Sequence, residues 1–171
     1  MVLSRRQALW LIPAAFAVHN AEEALTFPQY LPLMSLRLPS SLRAIAGELQ
    51  PAGLRIALLG VTIVGLAVVF WADRRPDSQA ARWSALVLQG VVAINVISHV
   101  AIAMFLLRGY SPGLISAVLI NAPLSVYLFR RAAQEGWMSR RSWRAIWPAA
   151  LLIHGPGLFG ILLLARRLAG S

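Results

Sequence analysis

Five apolar runs alternate with arginine-bearing segments along the chain: residues 8–25, 54–72, 83–107, 113–131 and 145–165. Each is on the order of 20 residues long, enough to cross a ~30 Å hydrocarbon core at 1.5 Å rise per residue. Several runs contain glycine or proline (Pro13, Gly60, Gly65, Pro123, Pro148, Pro156). Membrane helices tolerate these because neighbouring groups can satisfy the freed backbone. The pattern predicts an all-α fold, a polytopic transmembrane helical bundle of about five spans, forming a single domain over residues 1–171. Ser4-Arg5-Arg6-Gln7 ahead of the first run imitates a signal peptide. That run, however, contains His19, Glu22 and Glu23 and lacks a small-x-small cleavage pattern, so it is expected to remain as the first span.

The segment between the first two runs, 26–53, is the longest outside the predicted spans. Phe27, Pro28, Tyr30, Pro32 and Pro39 are expected to deny it a continuous helix. Ser40-Ser41 then opens LRAIAGEL, which reads as a short surface helix with a serine N-cap. Such a segment would either cover the outer mouth of the bundle as a lid or rest on the membrane surface.

Composition agrees with membrane residence: 58% of the 171 residues are hydrophobic and 13% charged, with a mean hydropathy of +0.68. There is no cysteine, which excludes disulfides and thiolate metal ligands. All 16 basic residues are arginine and the net charge is +10, yet no basic stripe interleaved with aromatics appears, so no nucleic-acid partner is expected. The arginines mark the ends of the runs instead. Ten lie in the N-terminus, 73–82 and 130–144, against six at 37, 43, 55, 108, 166 and 167. That imbalance predicts a multi-pass protein of a bacterial inner membrane with a cytoplasmic N-terminus. Trp10, Trp71, Trp83, Trp137, Trp143 and Trp147 all fall at the same arginine-rich interface, where indoles prefer to sit.

The chemistry is concentrated in the first run. An ionisable group at the centre of a span costs about 3 kcal/mol even on lenient scales, yet His19, Glu22 and Glu23 lie within five positions of one another. Their i, i+3, i+4 spacing puts all three on one helical face. The other two histidines, His99 and His154, lie in the third and fifth runs, which cross in the same direction as the first. Counted from the arginine-rich end, the three histidines lie roughly 9 to 16 residues deep, about 14–24 Å. Asn95 precedes His99 by one turn.

Histidine and carboxylate together suit zinc, iron or manganese, so His19, Glu22, Glu23, His99 and His154 are the candidate metal ligands. Asn95 is placed behind them, orienting His99 or a substrate. A lone histidine in a span more often makes a helix–helix hydrogen bond, and His154, in His-Gly-Pro-Gly, also reads as part of a kink. Thr62, Gln89, Ser98, Ser116, Asn121 and Ser125 read as interhelical hydrogen-bonding groups. Gly109-Tyr110-Ser111-Pro112-Gly113 reads as a tight turn, with Tyr110 in the aromatic belt or leaning over the site.

His19-Asn20-Ala21-Glu22-Glu23 and Asn95-Val96-Ile97-Ser98-His99 together resemble the HXXEE family of small bacterial integral membrane proteins. Both motifs of that family, H-x-x-E-E and N-x-x-x-H, are intact, and Tyr110-Ser111-Pro112-Gly113 is similar to the family's segment after the second motif. The resemblance implies a membrane location and a metal-related or enzymatic role without an assigned reaction.

The leading expectation is a divalent-metal-dependent membrane enzyme, a hydrolase or oxidoreductase, with Glu22 as general base or ligand. Its substrate is expected to be lipid-like or amphipathic, since nothing resembles a soluble-substrate domain. Two alternatives stand beside it: a small proton-coupled transporter using Glu22, Glu23 and His99 as a proton relay, and a non-catalytic accessory membrane subunit.

Overall fold

The structure, a computed structural model, describes residues 3–38 and 51–168. Within these the chain forms five helices: α1 (Arg5–Arg37), α2 (Pro51–Arg74), α3 (Gln79–Leu107), α4 (Leu114–Gln134) and α5, which comprises Arg140–Leu152, Ile153–Gly157 and Leu158–Leu168. No strand occurs among the described residues. Four of the helices, α2 to α5, are long and apolar enough to cross a membrane. The fifth, α1, carries the costly polar residues of the first run and packs along α2 in the same bundle.

Serines start three of the helices. Ser4 and Gln7 form a reciprocal capping box, Ser4 Oγ accepting from the Gln7 amide at 3.2 Å and Gln7 Oε1 from the Ser4 amide at 2.8 Å. Ser78 and Ser139 cap α3 and α5 by accepting from Ala81 N and Ser142 N, each at 3.2 Å. At this arginine-rich end the helices are also cross-tied. Arg6 forks onto Asp73 at 2.5 and 2.8 Å, and Arg5 and Arg82 both donate to Pro76 O. The Trp83 indole donates to Ser142 O.

The hydrophobic core occupies the same half of the bundle. Leu9, Ile12, Val69, Leu86, Leu128 and Ile146 are buried together there. Gly90 lets α3 and α5 meet closely: a Cβ on it would stand 3.0 Å from Ala150 Cβ and 3.3 Å from Ile146 Cγ2.

The opposite half is built differently. Three helices widen there into π turns: Ile102–Leu107 in α3, Ala117–Asn121 in α4 and Ile153–Gly157 in α5. One begins three residues after His99, one directly follows Ser116, and one contains His154. Single π turns inside α-helices are frequent at functional sites.

The prolines of 26–37 do not break the chain as expected. α1 runs unbroken through Pro28 and Pro32 to Arg37. Its 33 residues span about 50 Å, well beyond a hydrocarbon core. Each proline frees one carbonyl four residues back, but the extension is held from outside. The Tyr30 ring lies 5.4 Å from that of Tyr110, and Arg37 Nη1 donates to Leu106 O at 3.0 Å and Leu107 O at 2.5 Å. The guanidinium thereby satisfies the last carbonyls of α3, which ends at Arg108 in a left-handed turn. Pro39 and the surface helix expected after Ser40-Ser41 lie outside the described residues.

Replacing Gly90 with valine should overpack the α3–α5 contact at about 1–3 kcal/mol and lower the thermal unfolding midpoint in detergent micelles. Gly60→Ala, where nothing lies within 4 Å of the added methyl, should leave that midpoint unchanged or raise it.

Candidate metal centre

One turn of α1 separates His19 from Glu23, so both side chains leave the helix on the same side. Across from them α3 presents His99. The three bring one ligand atom each to within 4.8 Å of one another. Glu23 lies between the imidazoles: its Oε1 is 3.4 Å from His99 Nε2 and its Oε2 is 3.8 Å from His19 Nε2. The two rings meet edge to face, centroids 4.8 Å apart. Two ligands about 2.1 Å from a tetrahedral ion are themselves about 3.4 Å apart; the Glu23–His99 separation has that value, and the wider ones would have to draw in around a shared cation.

The ring nitrogens are prepared for that role on one side. Ser116 Oγ donates to Gly113 O at 3.3 Å, which leaves it to accept from His19 Nδ1 at 3.0 Å. His19 Nε2 then carries the free lone pair; it is buried, faces Glu23 and has no hydrogen-bond partner. Fixing one imidazole nitrogen so that the other points at a cation is a common support for histidine ligands. Asn95 lies beside His19, but its Oδ1 is likewise buried and unpartnered.

A glycine closes the site from the α4 side. Gly113 has φ +82°, in the left-handed region. A Cβ there would stand 2.8 Å from Glu23 Cγ, 2.8 Å from His19 Cε1 and 2.9 Å from His99 Cε1. Only a residue without a side chain lets the backbone lie against all three ligands at once.

Glu22 does not join them. Successive residues on a helix are about 100° apart, and the Glu22 carboxylate turns instead to the start of α4. Its Oε2 accepts from Ser116 N at 2.7 Å, and its Oε1 accepts from Ile115 N at 3.1 Å and from the Tyr110 hydroxyl at 2.7 Å. Gly113, at the N-cap, has no side chain to satisfy these amides, so an acidic residue from α1 does so, at the positive end of the α4 dipole. Of the three polar residues of the first run expected to converge on one object, the structure gathers His19 and Glu23 with His99 and places the Glu22 carboxylate on the start of α4.

His154 is also apart from the cluster. Its Nε2 lies 3.1 Å from Ser98 Oγ, which itself donates to Ile94 O at 3.1 Å. It faces a cavity of about 210 Å3 that Glu23, Asn20 and Asn95 also line. Asn20 Nδ2 donates to Thr62 Oγ1 at 2.7 Å and to Leu58 O at 3.3 Å, and Gln89 Nε2 donates to Ser125 Oγ at 2.7 Å. Thr62, Ser98, Gln89 and Ser125 thus make the interhelical hydrogen bonds their positions suggested. Ser116 and Gly113 carry more of the site than their sequence context indicates. The readable signal was the i, i+3 relation of Gly113 to Ser116 at the start of a span that faces the first run.

Two substitutions separate the roles of the glutamates. Glu22→Gln removes a charge from three hydrogen bonds and should lower stability by about 1.5–3 kcal/mol while leaving metal content near wild type. Glu23→Gln should do the reverse, abolishing stoichiometric metal with little loss of thermal midpoint in metal-free protein. Gly113→Ala should lose metal as well. Gly136→Ala, also at positive φ (+62°) but with nothing within 4 Å, should cost backbone strain of about 1–2 kcal/mol and no metal.

The family described as "Protein of unknown function with HXXEE motif" matches residues 10–128. A protein of Bacillus subtilis (strain 168) named "Uncharacterized protein YrkK" is 25% identical over 111 residues, which are 65% of this chain and 65% of that protein. The chain therefore spans just under two thirds of that curated relative's length. No solved structure matches the chain. The family match covers well over half of the chain and encloses both motifs, from His19, Glu22 and Glu23 on α1 to Asn95 and His99 on α3, and the chain belongs to the HXXEE family.

Proposed function

We propose that this protein is a divalent-metal-dependent membrane enzyme whose ion is held by His19 Nε2, Glu23 and His99. The observation that carries this reading is a set of two buried imidazoles and one half-buried carboxylate gathered from two helices under a glycine backbone. Three protein ligands, rather than four, is the number that leaves a coordination position open for water or substrate. When bound, such an ion supplies Lewis acidity and a water ionisable near neutral pH.

The chain's own residues divide the remaining work. Ser116 holds the His19 tautomer. Glu22 and Tyr110 clamp the 110–116 segment so that Gly113 stays against the ligands. Asn95, beside His19, and His154, across the cavity from Glu23, are the polar groups left to orient a substrate or move a proton. Two histidines and one carboxylate serve zinc hydrolases and iron oxidoreductases alike, so the reaction is a hydrolysis or an oxidation, and manganese is the third candidate ion. The arginine distribution supports an inner-membrane protein with its N-terminus in the cytoplasm and the centre toward the outer face. The apolar surroundings of the site support a lipid-like or amphipathic substrate.

Purified wild-type protein should carry about one equivalent of zinc, iron or manganese by elemental analysis. A His19→Ala, Glu23→Gln double variant should carry at least tenfold less, a difference of about 1.4 kcal/mol or more in binding. Equal metal in both would overturn the reading. Proton-dependent uptake into vesicles, lost in Glu23→Gln and indifferent to metal, would assign the site to a proton-coupled carrier instead.

A further inference from the structure

The cavity beside the centre has a chemistry of its own. It lies between α1, α2, α3 and the second half of α5, and most of its wall is apolar, from Phe16 and Leu58 to Val91 and Leu162. Its volume is about 210 Å3. Two of its lining residues, Val64 and Ile153, are also 56% and 47% exposed on the flank of the bundle. A molecule dissolved among lipid chains would therefore meet this wall without passing through water.

The polar end is equally specific. Glu23, Asn20, Asn95 and His154 are the polar residues that line the cavity. None of the chain's arginines does so among the described residues, although the chain has sixteen basic residues and all are arginine. An ion held by His19, Glu23 and His99 is balanced first by Glu23 itself, and the rest of the polar end, Asn20 and Asn95, offers a phosphate or carboxylate head no arginine. Asn20 is 4% exposed, and its amide nitrogen is committed to Thr62 and Leu58. Its Oδ1 has no donor, and neither has Asn95 Oδ1. Buried acceptors without donors are costly, and a ligand that brings a donor removes that cost.

The geometry points to a binding site for an uncharged, single-chain amphiphile with a hydroxyl head: the chain lies in the cavity between α2 and α5, and the hydroxyl is directed to the Glu23–Asn20–Asn95 end. This deepens the enzyme reading and rests on it for the hydroxyl's place beside the metal ligands. The binding itself needs only the cavity.

Photolabelling tests it. A medium-chain fatty alcohol carrying a diazirine would be irradiated with the full-length protein in detergent micelles and competed with unlabelled alcohol, with the fatty acid of equal length and with the matching lysophosphatidic acid. Labels should map to α2 and the second half of α5, and the alcohol should compete about tenfold better than either anion, a difference of about 1.4 kcal/mol. Val61→Phe and Val91→Phe, at lining positions that are not among the metal ligands, should fill the cavity, lose the label and keep their metal. Labelling spread evenly over the lipid-facing helices, equal competition by the acid, or undiminished labelling in both filled variants would each overturn the proposal, and the wild-type competition does so whether or not the variants fold. Metal lost without loss of labelling in His19→Ala, Glu23→Gln would leave the binding site standing. Alcohol labelling in a wild type that carries no metal would sink the enzyme reading alone.

Discussion

The first amides of a helix have no partner within it, and in α4 the N-cap is a glycine with no side chain to offer. The Glu22 carboxylate accepts from Ile115 N and Ser116 N and from the Tyr110 hydroxyl. Anion and helix terminus each remove the other's cost of leaving water. The rest of this half follows from that fastening. It sets the height of α4 against α1, which brings Ser116 Oγ to His19 Nδ1 and lays Gly113 over the ligand cluster. It also occupies Glu22, so the neighbouring carboxylate alone faces the two imidazoles.

Adjacent glutamates in one helix thus do unlike things. Glu22 sits among three fixed donors, the amides of Ile115 and Ser116 and the Tyr110 hydroxyl. Glu23 has two imidazoles and an apolar cavity around it, and no arginine is paired with it among the described residues. A carboxylate so placed can share a cation with its neighbours, since His19 and His99 each bring a ring nitrogen to it. The polar half of the bundle is organised around that cluster, and the opposite half supplies the packing, with Leu9, Ile12, Leu86 and Ile146 buried in one core and Gly90 set against Ile146 and Ala150.

Much of this was legible in the sequence because membrane residence writes itself in long apolar runs and in arginines at their ends. The polar residues of the first and third runs stood out because each is expensive at that depth. Other features were hidden for physical reasons. The reach of α1 through Pro28 and Pro32 depends on Tyr110 and Arg37 meeting distant partners, and proline rules describe only the local chain. The separation of Glu22 from Glu23 depends on where the end of another helix falls. Gly113 and Ser116 look like ordinary turn and span residues until three side chains arrive against them. His154 shares a depth with the other histidines, but its hydrogen bond to Ser98 holds it across the cavity.

The wide turns in α3, α4 and α5 set a mechanical property of this half. A π turn holds one residue more than its α counterpart, so it behaves as a dislocation in the helical lattice. Moving it by one position exchanges one backbone bond for another and leaves no group bare, which matters in a solvent that offers no replacement. The residue that the bulge passes changes its facing by about a residue's worth of turn, near 100°, while the helix on either side keeps its phase. The residues flanking the centre are thus mounted on joints that can turn without opening the bundle, while the arginine-rich half, α-helical throughout, stays fixed as the frame.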